Sequence, residues 1–287
     1  MSGPHRKILI LGCGYLGRAV GRELVARGFD VTGWVRSVES AGPLPDDGIT
    51  PWIGDLADPA DWSELPAASF EAVIHCASSG RGDAAVYRHV YLEGTRQALR
   101  HLPRARLLFV SSTSVYGQND GSVVTEDSPA EPATETGRLL REAEALALAL
   151  AGPDNLVFRV AGIYGPERGV LLRKFLAGEA VIEGDGTRWI NQAHRDDIAA
   201  ALVHAIEAPL PGGLYNVCDD EPVNYLSYYG WLAERTGQPL PPFGPADPHK
   251  KRGVTHKRVS NAKLKAAGWK PAYPTFREGL DAILRNP

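Results

Sequence analysis

Residues 7–17 read Lys-Ile-Leu-Ile-Leu-Gly-Cys-Gly-Tyr-Leu-Gly, and this stretch decides the fold. Lys7 leads into the apolar run Ile8 to Leu11, short enough for a buried strand. Gly12-Cys13-Gly14-Tyr15-Leu16-Gly17 follows at once. Leu16, Val20 and Leu24 then recur four apart, a helical spacing, until Gly28 stops the pattern. A second apolar run, Phe29 to Trp34, completes the order strand, G-x-G-x-x-G, helix, strand. That is the order of a dinucleotide-binding unit. Gly12 allows the tight turn. Gly14 lets backbone amides approach a pyrophosphate. Tyr15 and Leu16 open the helix whose N-terminus attracts the anion, and Gly17 lets that helix pack close to the strand. A plain strand-to-helix turn would not account for three glycines at this spacing.

The end of the second strand bears on which dinucleotide binds. A reader of NAD places Asp or Glu roughly 20 residues past the glycines, to hold the ribose 2′-hydroxyl. Here the strand closes Gly33-Trp34-Val35-Arg36-Ser37, with Val35 in the acid's place, while Asp30 comes too early. An arginine and a hydroxyl suit a 2′-phosphate. Arg36 and Ser37 therefore point to NADP rather than NAD, against the alternative of a solvated arginine on a loop.

The chain has 287 residues, 44% of them apolar, and a formal net charge of −3. It can bury a sizeable core as one large domain or two small ones. Its charge makes no case for nucleic acid or a membrane surface as partner. The basic runs Lys250-Lys251-Arg252 and Lys257-Arg258 read as a solvated face or as a contact for a substrate phosphate. Cys13, Cys76 and Cys218 lie far apart, so neither a metal site nor a disulfide framework is expected. Cys13 stands near a helix start, which can lower a thiol pKa; it also reads as a small packing side chain. With no signal peptide and no apolar run of about 18 residues, a cytoplasmic location is expected.

Strand signals recur at Ile8–Leu11, Val31–Trp34, Ala72–His75, Leu107–Ser111 and Leu156–Val160. Helical patterns at 15–27, 84–101 and 136–151 lie between most of them, the last stopping at Gly152-Pro153. The alternation predicts an α/β fold: a Rossmann-type, doubly wound parallel sheet with helices on both faces. After Tyr164 short apolar runs alternate with glycine and proline, and residues 238–248 read as a proline-rich surface loop. The expected division is a dinucleotide-binding domain over 1–163, with contributions from about 190–218. A smaller, discontinuous substrate lobe would take 164–189 and 219–287.

The order of further motifs resembles the extended short-chain dehydrogenase/reductase family of nucleotide-sugar epimerases, dehydratases and reductases. Gly54-Asp55-Leu56-Ala57-Asp58 is similar to that family's adenine-contacting turn. Val73-Ile74-His75-Cys76-Ala77 is similar to the strand beside the cofactor, which implies cofactor contacts for His75 and Ala77 as for Asp55 and Leu56. Gly94-Thr95 fits the next helix, although Tyr91 stands where the family prefers Asn. Phe109 to Gly117 resembles the strand that delivers the active-site Ser or Thr, and Ser112 matches that residue. Arg159, Tyr164-Gly165-Pro166, Gly184-Asp185-Gly186, Asp196-Asp197 and Tyr215-Asn216-Val217 continue the likeness. Arg258-Val259-Ser260-Asn261, Gly268-Trp269 and Tyr273-Pro274 resemble an atypical branch whose members often lose the catalytic set.

The departure from the family is specific. Its Tyr-x-x-x-Lys pair, which moves a proton and holds the nicotinamide ribose, falls here on Thr136 and Leu140. A threonine hydroxyl is too weak an acid to replace a phenol, and leucine supplies no charge. Arg138 and Arg141 lie on the same helix but are rotated away. Tyr164 is the candidate replacement donor, read against a structural tyrosine; Tyr116 reads as structural. His75 reads as a cofactor contact or a packed histidine. His194 is a candidate for lining the substrate lobe, and Asp196 or Asp197 for capping the next helix. Ser112 and Tyr164 are thus the catalytic candidates, with no metal. One reading is an NADP-dependent oxidoreductase, epimerase or dehydratase acting on a sugar or nucleotide-sugar-like small molecule, with a homodimer as the candidate assembly. The other is a non-catalytic protein that senses NADP(H) occupancy.

Overall fold

Apolar runs without a polar interruption can be buried on both faces only where helices cover both sides of a parallel sheet. In the computed structural model, which describes residues 6–66, 69–80, 82–149, 154–208, 210–245 and 255–285, those runs form the centre of such a sheet. Its strands are β1 Lys7–Leu11, β2 Asp30–Val35, β3 Thr50–Ile53, β4 Phe70–His75, β5 Arg106–Ser112, β6 Leu156–Val160 and β7 Gly213–Val217. They stand in the order β3-β2-β1-β4-β5-β6-β7, every neighbouring pair parallel. The order reverses between β1 and β4, the place where open α/β sheets bind ligands beyond the carboxyl ends of their strands.

The covering helices are α1 Tyr15–Ala26, α2 Val38–Ala41, α3 Gly94–His101, α4 Glu135–Ala149 and α5 Arg195–Glu207. α1 packs against α5, and α3 against α4, which also rests on β5 and β6. Ile8 to Leu11, Leu108, Phe109 and Leu156 to Phe158 are fully buried in the main core. A second apolar cluster joins Tyr164, Phe175, Ile182 and Val223 to helices α6 Tyr225–Thr236 and α7 Phe276–Arg285. Val259, Leu264 and Trp269 belong to the main core, and Arg258–Val259 pair with Val123–Val124 in a separate two-stranded sheet.

The expected helix over 84–101 is interrupted. Residues Ala84–Tyr87 are α-helical, Arg88–Glu93 form a wider π turn, and α3 follows. Two strands escaped the sequence reading. β3 reads Thr-Pro-Trp-Ile, and its proline is tolerated because the strand lies at the sheet's edge. β7 carries the buried polar Asn216, which hides its apolar pattern. The triplet Lys250-Lys251-Arg252, residues 150–151 with the terminator Gly152-Pro153, and residues 246–248 lie outside the described residues.

Candidate functional site

The glycine loop is shaped by backbone contacts of its own. The Gly12 and Cys13 amides both donate to the Trp34 carbonyl, at 3.0 and 2.9 Å, folding the chain sharply over β2. Gly12 has φ of 78°, and a Cβ there would overlap the Ala77 backbone. Ala77 thus takes part by crowding Gly12 from the end of β4. A Cβ on Gly17 would come 2.6 Å from the Gly12 carbonyl oxygen, so that glycine sets the approach of helix to strand. At Gly14 a Cβ would meet nothing within 4 Å. The space beside Gly14, at the start of α1, is the cradle that a dinucleotide pyrophosphate fits. A cavity of about 430 Å³ opens there, with Gly14 and Tyr15 in its wall. Leu16 turns into the core, so only its backbone is available. Cys13 is buried, and burial pushes its thiol up to about 12, the reverse of an activated thiol.

Around the β2 end, Val35 is buried and Arg36 is exposed, with no hydrogen bond or ion pair among the described residues. Ser37 caps α2 by accepting from the Ser40 amide at 3.4 Å. The Gly54-Asp55-Leu56 turn is braced by indoles: Trp34 Nε1 donates to the Gly54 carbonyl at 2.8 Å, and Trp62 Nε1 to the Leu56 carbonyl at 3.0 Å. The Asp55 carboxylate meets His89 Nε2 at 2.7 and 2.9 Å. His89, on the π turn, was not singled out from sequence.

At the far end of β5, Ser112 is half-buried at the carboxyl edge of the sheet, its hydroxyl accepting from the Ser114 amide at 3.1 Å. Leu140 is buried in the main core. Thr136 is half-buried and its hydroxyl reaches only Thr134, at 3.3 Å. Arg141 is bound to Glu144, and Arg138 donates to the Ala133 carbonyl at 3.0 Å, so neither is turned to the lysine's task. Tyr164 does not join Ser112. It lies in the second core, 2% exposed and against Gly279, its hydroxyl without a partner among the described residues. Burial, with Asp219 and Asp197 nearby, drives its phenol far up, which ill suits a proton donor.

His75 takes the second of its two readings, the packed histidine. It is fully buried, Nε2 meets the Val90 carbonyl at 3.2 Å, and burial lowers its pKa to about 4. It is a packed histidine that burial keeps neutral. His194, also buried, caps α5 itself: Nδ1 accepts from the Asp196 amide at 3.2 Å. Asp197 does not cap; it accepts from the amides of Ala272 at 2.6 Å and Tyr273 at 3.1 Å, and burial raises its carboxyl to about 6. Tyr116 is structural, its hydroxyl on Asn216 at 2.9 Å and its ring 4.7 Å beneath the Arg159 guanidinium. Lys257 is not on a solvated face. It is buried, donates to the Tyr116 carbonyl at 3.0 Å, and burial lowers it to about 8. Its sequence setting, a basic run, gave no sign of this. No group of three or more His, Cys, Asp or Glu among the described residues could hold a metal ion.

A glycine cradle at the switch point of an all-parallel sheet defines a nucleotide-cofactor class. Within it, this chain belongs to the NAD-dependent epimerase/dehydratase family, whose model matches residues 8–218. Protein YeeZ of Escherichia coli strain K12 is 31% identical over 245 residues, covering 83% of this chain and 86% of its own. A 3-diazoavenalumate denitrifying reductase of a Streptomyces species is 29% identical over 307 residues, covering 96% and 99%. MoeE5, solved with UDP-glucuronic acid and NAD, shares the fold with a TM-score of 0.79 over 98% of both chains, at 24% identity. No helix among the described residues is long and apolar enough to cross a membrane.

Proposed function

We propose that the protein is an NADP(H)-dependent oxidoreductase, epimerase or dehydratase acting on a sugar or nucleotide-sugar-like substrate. The observation that carries this reading is the pairing of an open cradle at Gly14 with Ser112 at the carboxyl edge of β5. The nicotinamide would supply hydride chemistry, and this chain's part is to hold it and orient a substrate oxygen on Ser112. The substrate class is supported by MoeE5, which binds UDP-glucuronic acid. A non-standard proton donor is part of this reading, supported by Thr136 and Leu140 at the positions of the family's tyrosine and lysine. The preference for NADP rests on Val35 and on the unengaged Arg36. Titration calorimetry with NADP+ and NAD+ tests it: NADP+ should bind more tightly by about 1–3 kcal/mol, the scale of a charged hydrogen bond. Equal or reversed affinities refute it. Screening sugars and nucleotide sugars for a change in nicotinamide absorbance tests turnover.

The same burial of Leu140 and Tyr164 supports a second reading, a non-catalytic reader of NADP(H) occupancy. Ser112→Ala separates the two: it should lower turnover on any substrate found, whereas a sensor would show tight cofactor binding and no turnover across the screen.

A further inference from the structure

The wall of the cavity beside the glycine loop holds three arginines, Arg18, Arg22 and Arg195, and one carboxylate, Glu167, which the sequence did not bring together. Arg18 and Arg22 stand one turn apart on α1 and line it, as do Ser40 and Pro43. Arg36 and Ser37, the residues that the sequence assigns to a 2′-phosphate, do not line it. The Ser37 hydroxyl is engaged at the start of α2, where the Ser40 amide donates to it.

Both arginines turn toward one carboxylate. Arg18 Nε donates to Asp47 Oδ2 at 2.6 Å, and Arg22 Nη1 reaches Asp47 Oδ1 at 3.5 Å. Burial works to raise Asp47, but the two guanidinium groups hold it below the usual carboxylate range. Arg18 and Arg22 together outnumber Asp47 by one charge, while elsewhere in the wall Arg195, paired with Asp196, stands with Glu167. Arg18 meets Asp47 through Nε alone, so its terminal nitrogens are unspent among the described residues. The two arginine side chains keep 33% and 44% of their exposure, while Asp47 keeps 11%. Asp47 thus holds both arginines without itself lining the cavity, whose wall the two arginines share. Planar guanidinium forks of this kind suit a phosphate dianion better than a lone hydroxyl.

We propose that Arg18 and Arg22, with the Ser40 hydroxyl, hold the adenosine 2′-phosphate of NADP(H). This rests on the NADP reading above and moves its specificity from the end of β2 to the outer face of α1.

The test is titration calorimetry of the full chain with NADP+ and NAD+, using wild type, Arg18→Met, Arg22→Met and Arg36→Met, with thermal melts of each. Loss of a charged hydrogen bond to the phosphate should weaken NADP+ by about 10- to 100-fold in Arg18→Met and Arg22→Met, with NAD+ unchanged within about twofold. Arg36→Met should weaken NADP+ by less than either. Arg18→Lys and Arg22→Lys, which keep the charge, should recover part of the loss and guard against a folding defect. If wild type prefers NADP+ but both arginine variants keep that preference, this assignment falls and the NADP reading stands. If the variants lose NADP+ and NAD+ alike, the arginines serve the pyrophosphate, and the assignment is again overturned. If wild type shows no preference, both the reading and the assignment fall.

Discussion

Gly12 and Gly14 sit two residues apart and would fail in different ways if given side chains. Gly14 has a negative φ of −97° and empty space where a Cβ would stand. Gly14→Val should abolish NADP+ binding by calorimetry while leaving the melting temperature nearly unchanged. Gly12→Val forces a left-handed backbone, at about 1–3 kcal/mol, and collides with Ala77, so it should lower the melting temperature sharply. Normal binding by Gly14→Val would mean the cradle has been misplaced. Tyr164→Phe removes a buried hydroxyl that has no partner among the described residues. It should leave cofactor affinity intact and stability equal or higher by about 1 kcal/mol in denaturant titration. Thr136→Ala should keep turnover within about threefold, far from the roughly 10²-fold loss expected of a general acid–base group. The glycine loop was legible in the sequence because its tasks are set by residues adjacent in the chain. Tyr164 and His75 were each left with two readings, because Gly279 and the Val90 carbonyl, which close over them, arrive from elsewhere.

Helix α4 shows how an element keeps its place after losing its catalytic pair. Glu144, fully buried, accepts from Ser111 at 2.5 Å on β5 and from Arg159 at 2.8 Å on β6. This clamp ties the helix to both strands, and Leu140 packs one turn before it. Glu144→Ala would leave Arg159 charged and buried, so it should cost about 3–5 kcal/mol in denaturant unfolding. A loss below about 1 kcal/mol, the level of an exposed pair, would show that the clamp is idle. Strand β4 carries a pH signature. His75 titrates near 6.5 unfolded and about 4 folded, so between those values the unfolded chain binds more protons. Stability contributed by His75 is therefore lost as pH falls from 6.5 to 4, by about 3 kcal/mol at most. His75→Gln should flatten the fall in unfolding free energy over that window. At this scale the buried central strands were legible from their unbroken apolar runs. β3 and β7 were not, since an edge proline and a buried asparagine disguise them.

At the scale of the molecule, residues 255–269 are part of the main structure. Arg258–Val259 pair with Val123–Val124, and Val259, Leu264 and Trp269 fill the main core. Asn261 donates to the Cys218 carbonyl at 2.8 Å, just past the end of β7. Burying three such side chains is worth about 5–9 kcal/mol, comparable to the whole stability of a typical domain. A chain ending at residue 254 should therefore give no cooperative thermal melt; a normal melt would show the segment to be dispensable. The two outer strands of the sheet are guarded differently. On one side Pro51 leaves β3 without one of the donors that a new strand would need. On the other, the Asn216 amide is taken by Glu126 at 2.7 Å and the Leu214 carbonyl by Lys263 at 2.8 Å. The sheet is thus finished at seven strands. Among the described residues, backbone zipping of two copies along either outer strand is thus partly obstructed, and a partly melted rim is the first place to look for clumping during heating.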